Sequence, residues 1–137
     1  MNDDEMVARI KETFETGDMG TFGRTIHEMA AEDMVQQYPQ SGEVFRGRDR
    51  IAEMNMSYPA STGTMPKATL QRVLKPGQAW IIESTIDYGD GTPVSSISII
   101  ELGSDGKIVR QTDYFANPFP PAEWRAKYAE SKEPAGV

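Results

Sequence analysis

The sequence contains no cysteine. Disulfides, thiolate nucleophiles and cysteine-ligated zinc are therefore excluded, and the composition fits a reducing compartment. The expected location is cytoplasmic. Histidine is nearly absent as well. His27 is the only one, so a single chain cannot assemble a multi-histidine metal site. Asp87, Asp90 and Asp105 fall in or beside turn sequences without the spacing of a calcium loop. No metal or other cofactor is expected. Basic clusters are missing too: 14 Lys and Arg stand against 21 Asp and Glu, for a net charge of −7. Nucleic acids and anionic membranes repel such a surface, so neither is an expected partner. No apolar run approaches the ~20 residues that span a bilayer. The acidic start, Met1-Asn2-Asp3-Asp4-Glu5, lacks the basic and apolar regions of a signal peptide.

What is present fits one domain over residues 1–137, with an ordered core of about 5–130. Met6, Ile10 and Phe14 recur every four positions and predict a helix over about 3–16, stopped by Gly17-Asp18. A second helix follows over about 19–30, with Phe22, Ile26 and Met29 or Ala30 inward. Met34–Tyr38 and Glu43–Arg46 read as short strands around a turn. Asp49 is the expected N-cap of a third helix, which Tyr58-Pro59 closes. Residues 60–67 read as loop. Four strands are then expected at about 68–75, 79–88, 93–102 and 107–116, separated by Pro76-Gly77, Gly89-Asp90-Gly91 and Gly103-Ser104-Asp105-Gly106. A short helix over 122–131 carries Trp124 and Tyr128 four apart, as a packing pair, and the tail from Lys132 is expected to fray. Helices first and an antiparallel meander afterwards define the α+β class. A curved sheet wrapped around the helices makes a cone with a pocket inside.

The most telling stretch is Gly106–Phe115, a turn feeding an alternating strand. Side chains alternate across a strand, so Asp113 shares a face with Val109, Gln111 and Phe115. Val109 and Phe115 predict that protein covers this face. A carboxylate there is paired, hydrogen-bonded or functional, because an unpaired buried charge is costly. Desolvation would raise its pKa into the range suited to proton transfer. The plainer alternative is a structural aspartate bonded to Gln111, a tyrosine or backbone.

Further residues give the chain a family resemblance. They are Phe14-Glu15-Thr16-Gly17-Asp18, Asp33-Met34-Val35, Tyr38-Pro39, Phe45-Arg46-Gly47-Arg48-Asp49, Gly106-Lys107-Ile108, Asp113-Tyr114-Phe115-Ala116, Pro118-Phe119 and Glu123-Trp124-Arg125. In order and spacing the chain resembles the nuclear transport factor 2-like superfamily, and within it the SnoaL-like proteins that include polyketide cyclases. The resemblance implies a cone-shaped α+β barrel, a hydrophobic pocket and a homodimer. It does not imply one reaction. The ketosteroid isomerase-like positions hold Ile10, Tyr38 and Ser98, so that isomerase's acid and base groups are absent. The polyketide cyclases place an acid/base aspartate where Asp113 stands. Their partner histidine is replaced by the serines Ser95, Ser96 and Ser98.

The resulting expectation is a pocket protein for a small apolar or carbonyl-bearing molecule. It is either a cofactor-free cyclase or isomerase using Asp113 as acid/base, or a non-catalytic ligand-binding or interaction module. Tyr38, Gln111 and Ser98 would orient the ligand. Ser96, Phe115, Trp80 and Tyr58 would line the pocket, and His27 is a further polar candidate. Glu83, which interrupts the apolar run Trp80-Ile81-Ile82, either joins Asp113 or faces outward. Joined, the two carboxylates would suit an epoxide-hydrolase-like reaction.

Overall fold

The computed structural model describes residues 2–15, 19–64 and 66–132. The expected stop at Gly17-Asp18, the side chain of Phe22 and the tail beyond Lys132 lie outside the described residues. The architecture is α+β. In chain order it comprises α1 (Asp3–Glu15), α2 (Met19–Met29), β1 (Val35–Tyr38), β2 (Glu43–Arg46), α3 (Arg48–Thr62), β3 (Ala79–Asp87), β4 (Pro93–Leu102), β5 (Ile108–Ala116), a 3-10 helix (Glu123–Tyr128) and β6 (Ser131–Lys132). Two three-stranded sheets form, ordered β1-β2-β6 and β3-β4-β5. No helix among the described residues is long and apolar enough to cross a membrane.

Contacts group the chain into two compact units. The first holds Met1–Gln37, Val44–Val73 and Ala122–Ser131; the second holds Tyr38–Glu43, Leu74–Pro121 and Lys132–Val137.

In the first unit the apolar core is Val44, Phe45, Ile51, Met54 and Tyr128. β2 supplies two adjacent buried side chains and α3 two more at the helical i, i+3 spacing. α1 and α2 meet through polar groups. The Thr13 and Thr25 hydroxyls bond each other at 3.1 Å in a buried position, and Arg9 pairs with Glu28. The stripe of Met6, Ile10 and Phe14 is only half-buried. Turns fix where α3 begins: the Gly47 N–H donates to the Met34 carbonyl at 2.8 Å and the Arg48 N–H to Glu32 at 3.1 Å.

Three local expectations are corrected here. Asp49 is not the N-cap, because α3 already starts at Arg48, with Gly47 in the capping position at a φ of 91°. Pro59 does not end α3. A proline removes one N–H from the ladder, but the last turn is held otherwise. Thr62 Oγ1 donates to the Tyr58 carbonyl at 2.8 Å, and Gly63, left-handed at φ 73°, donates its N–H to the Pro59 carbonyl at 2.8 Å. Finally, the C-terminal helix is a six-residue 3-10 turn. That winding places i and i+3, rather than i and i+4, on one line. Trp124 therefore does not pair with Tyr128. It packs edge-on against Tyr58, with ring centroids 5.2 Å apart, while Tyr128 is buried in the core.

The second unit is the β3-β4-β5 meander, whose bounds match the expected strands to within a residue. Asp87 organises the first turn by accepting the N–H groups of Gly89 and Gly91 at 2.8 and 3.1 Å. Gly106, at φ 78°, shapes the second. The ladder shifts between Glu101 and Leu102, opposite Val109, and that bulge takes Val109 out of the regular alternation. The strand expected at 68–75 does not form. Those residues are irregular, with one isolated bridge at Lys67. Alternation alone does not make a strand; a ladder of hydrogen bonds does.

Candidate functional site

The register of the meander decides which side chains meet. Ser98 pairs across β4 and β5 with Asp113, and across β3 and β4 with Ile82. Since directly opposed residues share a face, Asp113, Ser98 and Ile82 lie together. Stepping by two along each strand adds Trp80, Ile100 and Gln111 on one side, and Ser84, Ser96 and Phe115 on the other. The other face carries Ile81, Glu83, Ile97, Ile99, Thr112 and Tyr114.

On the first face the Ser98 hydroxyl donates to Asp113 Oδ1 at 2.6 Å. The Gln111 amide donates to the same carboxyl, at 3.2 Å to Oδ1 and 3.4 Å to Oδ2. Hydrogen bonds to the charged form favour it. The Ser98 bond, and then the Gln111 bond, hold the Asp113 carboxyl below the usual carboxylate range, against a slight opposing effect of desolvation. This corrects the expected raised pKa. The expected burial is not met either: Asp113 is exposed and Phe115 beside it is 59% exposed. The physical reason is that Asp113 stands on β5, an edge strand of its sheet, where neighbouring strands cover a side chain from one side only. Ser98 is half-buried and Ser96 buried, because β4 is the central strand.

Trp80, Phe115, Ser96, Ser98, Gln111 and Asp113 are thus brought onto one face. Gln111 and Phe115 are the neighbours expected for Asp113; Val109, expected with them, is displaced by the bulge. Glu83 is not. It stands opposite Ile97, which stands opposite Tyr114, on the other face. A shared-proton pair of Glu83 with Asp113 is therefore absent from this sheet. The other face also carries an ion pair, with Arg110 Nε 2.5 Å from Glu101 Oε2. That bond raises the Arg110 pKa further above its ordinary value.

His27 and Tyr58 belong to the first unit, and each is engaged there. His27 Nε2 lies 2.8 Å from Asp49 Oδ1, which links the end of α2 to the start of α3. This bond lowers the Asp49 pKa, with a smaller contribution from the Arg48 charge. Tyr58 packs on Trp124. Tyr38 ends β1, half-buried, and its carbonyl accepts the N–H groups of Ser41 and Gly42.

One residue escaped sequence reasoning. Glu43 is completely buried, and the Ser41 hydroxyl donates to its Oε1 at 2.7 Å. Its signal was the Ser41-Gly42 turn, which folds a hydroxyl back on the first residue of the next strand. Among the described residues no group of three or more His, Cys, Asp or Glu could hold a metal ion. Comparison with protein-family models and with characterised proteins found no match for the chain.

Proposed function

We propose that the chain is a SnoaL-like domain of the nuclear transport factor 2-like, cone-shaped type. In this reading it binds a small, apolar, carbonyl-bearing molecule without transforming it. The observation that carries the reading is the bonding of Asp113 to Ser98 and Gln111 on a sheet face that also carries Trp80, Ile82 and Phe115. A carboxylate held below its usual pKa is a poor base at neutral pH, since proton transfer is most effective when the pKa lies near the working pH. It is, however, a good anchor. It fixes the Gln111 amide, whose second N–H is left to donate to a ligand carbonyl. Trp80, Ile82 and Phe115 supply the apolar contact. We also propose that a second copy of the chain covers the opposite face, where Ile81 and Tyr114 are 69% and 58% exposed.

The test is equilibrium binding of 2-acetonaphthone, an apolar ketone, against 2-ethylnaphthalene, its hydrocarbon counterpart. The ketone should bind more tightly, and Gln111→Ala should erase that preference, worth roughly 2- to 10-fold for a single net hydrogen bond. The ketone's α-protons should exchange with D2O no faster than without protein. If the protein accelerates that exchange and Asp113→Asn abolishes the acceleration, the proton-transferring enzyme is the right reading. Equal binding of both compounds removes the carbonyl anchor.

A further inference from the structure

A second group of residues, all within the first unit, borders a surface hollow. The end of α1 and the chain that leaves α3 border an open surface hollow of about 440 Å³. That volume is within the range of small-molecule sites. Lys11, Phe14 and Glu15 are spaced i, i+3, i+4 and so line it from one helix face. Lys67, Ala68, Thr69 and Leu70 line it from the other side.

Its chemistry is divided. Phe14, Ala68 and Leu70 are half-buried and give an apolar floor. Lys11 and Lys67 are exposed, and neither side chain has a hydrogen bond or ion pair among the described residues. This stands out in a chain where carboxylates outnumber cations 21 to 14. Arg9, Arg50 and Arg110 each have a carboxylate partner. Here two ammonium groups border an apolar hollow instead. Glu15 is the one acidic group on the lining, and it repels additional negative charge. The site therefore favours one negative charge over two, and an apolar body over a hydrated ion.

We propose that this hollow binds an apolar monocarboxylate, with its carboxylate between Lys11 and Lys67 and its hydrocarbon part on Phe14 and Leu70. Thr69 supplies a hydroxyl donor at the rim. The site is independent of Asp113 and of the ligand proposed for the sheet.

The experiment is an NMR titration of the full chain with 2-naphthoate and, separately, with its neutral counterpart 2-naphthamide. The acid should bind roughly 5- to 10-fold more tightly than the amide, the worth of two partly exposed ion pairs. Amide resonances of α1 and of residues 67–70 should move. High salt should narrow the difference. The double variant Lys11→Gln, Lys67→Gln should bind acid and amide alike, and Glu15→Gln should bind the acid more tightly. Inorganic phosphate should not compete. These substitutions lie on exposed positions, so the variants should keep the far-ultraviolet circular dichroism of the parent. Equal binding of acid and amide by the parent would overturn the proposal. So would acid binding that survives the double substitution unchanged, or shifts confined to the β3-β4-β5 sheet.

Discussion

Phe45→Ala should unfold the protein at markedly lower denaturant, with a loss of about 3–5 kcal/mol. Phe45 is completely buried in β2, beside Val44 and in the same core as Ile51, Met54 and Tyr128. That core is small for its unit, so few other side chains can move in to refill the space. Truncation removes the transfer free energy of the ring and leaves a cavity as well, and packing at protein density relaxes only in part. Phe45→Leu should lose less, because it keeps most of the volume. Equilibrium urea unfolding followed by circular dichroism gives both values. A loss under 1 kcal/mol for the alanine variant would mean that Phe45 is not a core residue.

The second large effect concerns self-association. On the face opposite Asp113, Ile81, Ile97, Ile99, Thr112 and Tyr114 adjoin one another through the strand register. Ile81 and Tyr114 are largely exposed. Glu83, opposite Ile97, is the carboxylate within this otherwise apolar group. An exposed apolar sheet surface is one that proteins cover, and a two-fold dimer does so by setting the same patch against itself. Ile97 is on the central strand of that patch. Ile97→Asp would add a second carboxylate beside Glu83 on each side of the proposed contact. Ile97→Asp should therefore weaken the proposed dimer by ~30-fold or more, the scale of a central interface residue. Sedimentation equilibrium measures it. A parent chain that sediments as a monomer at all concentrations would refute the dimer. A dimer unaffected by the substitution would place the contact elsewhere.

The strands of the meander were legible because each carries alternation and is bounded by glycine turns. Asp87 and Gly106 behave as their turn chemistry requires. The grouping of Asp113 with Ser98, Gln111 and Phe115 followed from the period of two once the register was known. The state of Asp113 was not legible. Whether Ser98 donates to it depends on cross-strand pairing, and its exposure depends on what lies over the sheet. Neither is written in the local sequence. The segment 68–75 misled for a related reason: it alternates like a strand, yet strand formation needs a partner. Pro59 misled because a single missing N–H is a weak stop when Thr62 and Gly63 hold the following turn. Glu43 went unnoticed because burial of one carboxylate is a property of the packed chain. The hollow beside Lys11 and Lys67 joins residues more than fifty positions apart, and no local pattern announces it.

In the proposed role Asp113 is an ionised anchor at neutral pH. Carbon-detected NMR of its side-chain carboxyl across an acid titration tests this directly. The midpoint should lie below the ordinary 3.8 in the parent and move upward in Ser98→Ala as the stronger donor is lost. The linkage has a definite sign. A depressed folded-state pKa contributes stability above the unfolded value of about 3.9, and that contribution disappears as pH falls through the folded midpoint. A midpoint displaced upward toward neutrality, unmoved or lowered by Ser98→Ala, would rule out the anchor and restore Asp113 as a proton-transferring group.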